Sequence, residues 1–243
     1  GALKQMARIH YDLGTTDSVI ISHAHPDHYS DGACVIEGMT HGGWEKRGHL
    51  YGSPTVLDGE GGLGPCISPY HRNLPIGSKV FRPGDVLDID GLQTDICRAR
   101  HSDPTNVGFR FHTPDGIVSF LSDTEYDDDI GKQYLGSRVL ILPVTTPHDN
   151  KIRWHMCTDT AAEICSLVKP ELAVFIHLGI VMIEEGPEKE AAICQERSGV
   201  RTVAAEDLMT LDVGKELTFG KVPAYDDAYI PPWSPRLAHD GLH

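Results

Sequence analysis

The sequence predicts an α/β fold in which strands outnumber helices, on three grounds. Apolar runs of strand length recur at residues 19–22, 86–89, 92–97, 107–111, 117–121, 139–142, 172–176 and 200–204, while helical spacing is confined to three stretches. Polar residues suited to metal binding or catalysis fall just beyond the ends of several of these runs. At 243 residues and 40% hydrophobic content the chain can bury a large core. A single domain over 1–222 is expected, followed by an extended tail over 223–243.

Taken in order, Val19, Ile20 and Ile21 form the first run and lead into His23-Ala24-His25-Pro26-Asp27-His28. Side chains alternate along an extended segment, so His23 and His25 share one side, and a turn beginning at Pro26 swings Asp27 and His28 toward a second position. A helical stretch is expected after Asp27. Residues 29–80 otherwise read as irregular and Gly-rich, including Gly42-Gly43, Gly61-Gly62 and Gly64-Pro65. Long loops of this kind are either functional or plain surface insertions, and Tyr70, His71 and Arg72 are the residues expected over a cleft.

The later strand-like runs deliver His101, Asp123 and His177 at or near their ends. Thr158 or Asp159 reads as the N-cap of a helix whose apolar spacing, Ala161, Ile164, Cys165 and Val168, continues to Pro170. A further helix over 187–197 has Pro187 early and Gly199 just past its end. The tail, with Tyr225-Asp226-Asp227-Ala228-Tyr229-Ile230-Pro231-Pro232-Trp233, has no periodicity and is expected to pack as an arm or at an oligomer contact.

Three imidazoles and a carboxylate within six residues point to a metal. Imidazole and carboxylate suit Zn, Fe, Mn or Co, and a cluster without thiolate reads as catalytic rather than structural. His101 lies between two strand patterns, which favours ligation over a plain loop role. Asp-Thr-Glu after a strand is also ordinary turn chemistry, so Asp123 taken alone reads as a cap, and only the other motifs make it a ligand. His177 ends an apolar strand, where an unpaired imidazole is costly; it needs a hydrogen-bond partner or a metal. His155 precedes the helix at Thr158 and would titrate near neutrality, as a general acid requires. His148 and His71 are assigned no role.

The hexad, then Arg100-His101-Ser102-Asp103, then Asp123, then His177 resemble in order and spacing the HxHxDH signature of the metallo-β-lactamase-fold metallo-hydrolases, over most of residues 17–213. The resemblance implies an αββα sandwich of two mixed sheets flanked by helices, with metals at one edge between the sheets. It implies two divalent metal ions, zinc first with iron or manganese as alternatives: one on His23, His25 and His101, the other on Asp27, His28 and His177, with Asp123 bridging. A hydroxide shared by the ions would be the nucleophile at neutral pH. Asp27 would also orient it, and His155 would assist the leaving group.

Trp154-His155-Met156-Cys157 lies nearer the phosphodiesterase-like and ribonuclease Z-like branches than the antibiotic-degrading ones, although Cys157 stands where those branches carry Thr. The implied activity is hydrolysis of a phosphodiester, ester or lactone. A thioesterase of glyoxalase II type has the same ligand set, and a non-catalytic scaffold or regulatory subunit is the alternative from another class. A redox di-iron role is disfavoured, because that relative carries an acidic residue where His25 stands. Members normally begin with a strand pair ahead of the HxHxDH strand, whereas here the hexad begins at residue 23: the N-terminus is trimmed, a partner chain fills that edge, or this is a short variant lacking the usual N-terminal strands. The open edge predicts a homo-oligomer.

A formal charge of −14 argues against a general nucleic-acid surface. Lys46-Arg47, Arg98 with Arg100, and Lys151 with Arg153 are the nearest approach to basic clusters, so a small anionic or ester-like substrate is expected. No apolar run reaches membrane-spanning length, and residues 1–16 do not read as a leader. Cys34, Cys66, Cys97, Cys157, Cys165 and Cys194 form no CxxC pair, and Cys97, Cys165 and Cys194 sit in strand or helix patterns. A reducing cytoplasm is the expected setting, with no membrane partner.

Overall fold

The computed structural model describes residues 1–224, so the expectation for Tyr225 to Trp233 lies outside the described residues. The helices are α1 (Ala2–Arg8), α2 (Pro26–Tyr29), α3 (Gly32–Met39), α4 (Pro54–Leu57), α5 (Pro69–Arg72), α6 (Asp128–Lys132), α7 (Thr158–Val168), α8 (Ile180–Glu185) and α9 (Pro187–Ser198). The strands are β1 (Ser18–Ile21), β2 (His49–Gly52), β3 (Gly77–Val80), β4 (Val86–Ile89), β5 (Leu92–Arg98), β6 (Val107–Thr113), β7 (Gly116–Phe120), β8 (Ser137–Thr146), β9 (Met156–Cys157), β10 (Leu172–Ile176), β11 (Thr202–Ala204), β12 (Met209–Val213) and β13 (Leu217–Lys221).

β1, β2 and β3 pair in parallel as one sheet. The larger sheet is mixed and runs β11-β10-β8-β7-β6-β5-β4, with β9 beside the end of β8. Its strands β8 and β10 carry continuous apolar runs, Val139–Val144 and Leu172–Ile176, because both faces are covered. Leu140, Leu142, Ala173 and Phe175 face Ile164 and Cys165 of α7 and Ala191 and Cys194 of α9. The alternate residues Val139, Ile141, Leu172 and Val174 pack on Leu211, Val213, Leu217 and Phe219 of the β12–β13 hairpin.

Between the two sheets, Ile20 and Tyr51 of the small one meet Leu87, Ile89, Ile96, Val107, Phe109 and Phe120 of the large one. On the outer side of the small sheet, Ile21 and Leu50 pack on Ile36 of α3 and Val56 and Leu57 of α4. The layers are therefore helix, sheet, sheet, helix, the αββα arrangement. Among the described residues no helix is long and apolar enough to cross a membrane.

Residues 29–80 are more regular than their glycines suggest, and the expected helix after Asp27 is two helices, α2 and α3. Elements of four to eight residues are too short for helical periodicity to register. In β2, the middle strand of its sheet, Leu50 and Tyr51 are buried together, which erases the alternation. His71 and Arg72 are structural anchors for α5: His71 Nε2 lies 3.1 Å from Glu37 Oε1, and Arg72 donates to the Leu57 carbonyl and Asp58 Oδ1 at 2.7 Å each. Tyr70 is exposed.

α7 starts where the sequence predicts, but its N-cap is Cys157 rather than Thr158 or Asp159. The Cys157 N–H donates to Thr160 Oγ1 at 3.0 Å, which is one half of a capping box; in the other half the Cys157 thiol accepts from the Thr160 backbone N–H. Sulfur accepts weakly, so the cap is suboptimal. Cys157→Ser is expected to stabilise the protein by about 0.5–1 kcal/mol, raising the unfolding temperature by about 1–4 °C in calorimetry. A fall instead would mean that the buried thiol serves chiefly as packing.

Candidate metal centre

Strand direction explains why distant motifs meet. β6 is antiparallel to both β5 and β7, so those two run the same way, and β7, β8 and β10 are parallel. Their carboxyl ends share one edge of the large sheet, the end at which open α/β sheets carry their sites. His101 follows β5, Asp123 follows β7, Thr145 is the penultimate residue of β8, and His177 follows β10. The segment after β1 reaches the same edge, where His28 Nε2 lies 3.4 Å from Asp123 Oδ2.

Local backbone chemistry aims each side chain. His25 is extended, with φ −96° and ψ 140°, and Pro26 opens α2 at its first position, which turns Asp27 and His28 away from His23 and His25. His177 adopts φ 55°, a left-handed conformation that costs a residue with a side chain about 1–3 kcal/mol. Gly179 accompanies it: its N–H donates to the Thr145 carbonyl at 3.0 Å, and a Cβ there would come within 2.5 Å of that oxygen.

One group of donors forms a near-equilateral triangle. His28 Nε2 is 3.3 Å from His177 Nε2 and 3.4 Å from Asp27 Oδ2, and His177 Nε2 is 3.2 Å from Asp27 Oδ2. Asp123 Oδ2 stands 3.4 Å from both imidazoles. Four ligands at zinc bond lengths and tetrahedral angles lie about 3.3 Å apart. In the second group, His101 Nε2 is 3.1 Å from His25 Nδ1 and 3.9 Å from Asp123 Oδ2. The His23 ring stands 4.7 Å from that of His25 and 5.0 Å from that of His101, centroid to centroid. All seven side chains singled out in the sequence are thus brought together, in the two groups His23, His25, His101, Asp123 and Asp27, His28, His177.

Hydrogen bonding within the protein does not satisfy this cluster. His23 Nε2 and Asp123 Oδ1 are buried without a partner, a state that costs about 1–3 kcal/mol per atom. A nitrogen facing a nitrogen shares at most one proton, whereas a cation accepts every one of these lone pairs. The donor set therefore fits a divalent metal.

The opposite ring nitrogens are engaged. His23 Nδ1 pairs with Ser22 Oγ at 3.0 Å, His25 Nε2 with Ser102 Oγ at 3.2 Å, His101 Nδ1 with the Trp154 carbonyl at 3.0 Å, and His177 Nδ1 with Thr145 Oγ1 at 3.1 Å. Such outer partners fix ring orientation and tautomer. Sequence reading missed their role, and only Ser22 and Ser102, adjacent to ligand positions, offered any signal.

His155 joins the cluster. Its Nδ1 lies 3.3 Å from Thr145 Oγ1 and 3.8 Å from Asp123 Oδ2, and its ring stacks 5.8 Å from that of His177. His148 instead bonds Glu190, a fully buried carboxylate that also accepts from the His148 N–H and the Thr158 hydroxyl. Glu190 moors the loop that carries His155 to α9.

Residues 2–178 match the family described as the beta-lactamase superfamily domain. The chain belongs to the β-lactamase superfamily. An uncharacterized protein of Methanocaldococcus jannaschii is 30% identical over 223 residues, 91% of this chain and 82% of that protein. The metallo-β-lactamase-fold protein YhfI of Bacillus subtilis matches with a TM-score of 0.71 at 17% identity, over 90% of this chain and 84% of YhfI. The short form of human tRNase Z matches with a TM-score of 0.60 at 15% identity, over 92% and 85%. A diphosphatase of the PhnP family matches with a TM-score of 0.59 at 18% identity, over 84% and 74%. At these identities the superfamily fold is what the structures share.

The electrostatics of this sheet edge favour neutral rings at His23, His101 and His155 beside an ionised Asp123. Burial, reinforced by His28, drives the His23 imidazole from 6.5 down to about 2, and burial also lowers His101 and His155. Burial acts the same way on His28, but the Asp123 hydrogen bond and the charges of Asp123 and Asp27 outweigh it and raise that ring. Burial opposes ionisation of Asp123, yet the His28 hydrogen bond and the nearby imidazoles hold its carboxyl well below the usual range. Below about pH 6.5 an unfolded chain takes up protons at positions 23, 101 and 155 that the folded protein refuses, so acidification favours unfolding; His28 opposes with the other sign. The urea midpoint of chelator-treated protein is therefore expected to fall between about pH 7.5 and pH 5.5. A constant or rising midpoint would contradict this balance.

Proposed function

We propose that the chain is a dinuclear metal-dependent hydrolase of a small anionic phosphodiester, with esters and lactones as the neighbouring substrate classes. The observation that carries this reading is the convergence of two donor groups on Asp123 with a further titratable ring, His155, beside them. His23, His25 and His101 would hold one ion, Asp27, His28 and His177 the other, and Asp123 both. Bound divalent cations supply Lewis acidity and an acidified water at neutral pH.

The remaining work falls to the chain itself. The Asp27 side chain, 63% exposed, is the most open of the proposed ligands and is placed to accept a hydrogen bond from an attacking water. His155 has its Nδ1 beside the Thr145 hydroxyl, which leaves Nε2 to give a proton to a leaving group. Two carboxylates against two divalent cations leave the centre net positive inside a chain of formal charge −14. That contrast suits a compact anionic group better than a long polyanion. Donor spacings of 3.2–3.4 Å support zinc, while imidazole and carboxylate donors also accept manganese and iron. The diphosphatase among the structural neighbours supports placing phosphoesters first.

Elemental analysis, coupled to hydrolysis of bis(p-nitrophenyl) phosphate, p-nitrophenyl acetate, a γ-lactone and a thioester, tests the reading. Two ions per chain are expected, falling below two in Asp123→Ala or His177→Ala. His155→Ala is expected to keep both ions and lose about 100-fold or more in kcat. A protein loaded with two ions that turns over none of these substrates would overturn the hydrolase reading, and an unchanged kcat in His155→Ala would remove that residue from the mechanism.

A further inference from the structure

Asp103 lies on the loop between β5 and β6, two residues past His101, and is fully buried. A carboxylate in that position needs donors for its lone pairs, and four converge on it. Oδ2 accepts from the Ala24 N–H at 2.9 Å and the Thr55 hydroxyl at 2.6 Å; Oδ1 accepts from the Thr105 N–H at 2.9 Å and the Thr105 hydroxyl at 3.0 Å. The Thr105 bonds are local and organise the loop. The bond to Ala24 spans 79 residues, and Ala24 sits between His23 and His25.

Three imidazoles must meet within a few tenths of an ångström if they are to share an ion. Two of them come from the segment leaving the small sheet, and the third from a loop of the large sheet. The Ala24–Asp103 bond joins these segments at the backbone, midway between the first two rings and two residues from the third. Thr55 of α4 braces the same carboxylate from the outer helical layer.

We infer that Asp103 is a positioning residue for the His23–His25–His101 position, acting through the Ala24 backbone rather than by contact with an ion. The inference rests on the proposal that those three histidines hold a metal. Substituting an outer partner of this kind weakens metal binding about 10- to 100-fold. The effect is directed at one position, because the Asp27, His28 and His177 side chains make no hydrogen bond to Asp103.

The test is zinc titration of chelator-treated protein in competition with a chromophoric chelator, with urea unfolding of the same metal-free samples. Asp103→Ala is expected to weaken one of two zinc-binding steps about 10- to 100-fold and leave the other unchanged. Asp103→Asn, which keeps an acceptor oxygen for Ala24, is expected to fall between that variant and the unsubstituted protein. Thr55→Val removes a donor from the same carboxylate but spares the Ala24 bond. It is expected to lower the urea midpoint while weakening zinc binding less than Asp103→Ala does.

Unaltered zinc affinity in Asp103→Ala and Asp103→Asn would overturn the inference, as would a loss in Thr55→Val as large as that in Asp103→Ala. If Asp103→Ala does not fold, the comparison of Asp103→Asn with Thr55→Val decides by the same criterion. An unsubstituted protein that takes up no zinc in this titration would instead remove the metal reading beneath the inference.

Discussion

Lone pairs that cannot satisfy one another organise this molecule. His28 Nε2 faces His177 Nε2, His101 Nε2 faces His25 Nδ1, and Asp123 Oδ2 sits among the imidazoles, with His23 Nε2 and Asp123 Oδ1 left unpaired. Each unpaired buried atom costs about 1–3 kcal/mol, and the left-handed backbone at His177 adds a similar amount. Folding tolerates such a cluster only because the surrounding layers are apolar and closely packed. A divalent cation at each group would convert the same crowding into coordination.

The cluster draws on both sheets, so the layered fold and the site are one problem. β1 supplies the hexad from the small sheet, while the carboxyl ends of β5, β7 and β10 supply His101, Asp123 and His177 from the large one. Hydrogen bonds outside the cluster hold the register between these sources. Thr145 stands beside both His177 and His155, the Trp154 carbonyl fixes His101, and Glu190 holds the intervening loop to α9. Stability and site geometry therefore share residues, and a substitution in this shell is expected to disturb both.

The sequence made the strand framework legible where burial is simple. β4 and β10 occupy the residues read as strands, because their apolar runs are bounded by turn-forming or polar residues. The hexad was legible because its spacing alone separates His23 and His25 from Asp27 and His28. The single-turn helices α4 and α5 and the buried strand β2 were not, since four residues carry no readable period. The Cys157 cap escaped because thiols seldom cap helices. Asp103, though part of a recognised motif, escaped because its decisive partner, Ala24, is a backbone amide 79 residues away. Thr145 likewise has no meaning until β8 and β10 are paired.

The account stands or falls on whether the donor groups hold two ions. Anomalous diffraction at the zinc edge, from crystals of protein supplied with zinc, reads this directly. Two peaks about 3.5–4 Å apart are predicted, one enclosed by His23, His25 and His101 and the other by Asp27, His28 and His177, with Asp123 between them. A single peak, or none at these residues in zinc-saturated crystals, would contradict the account.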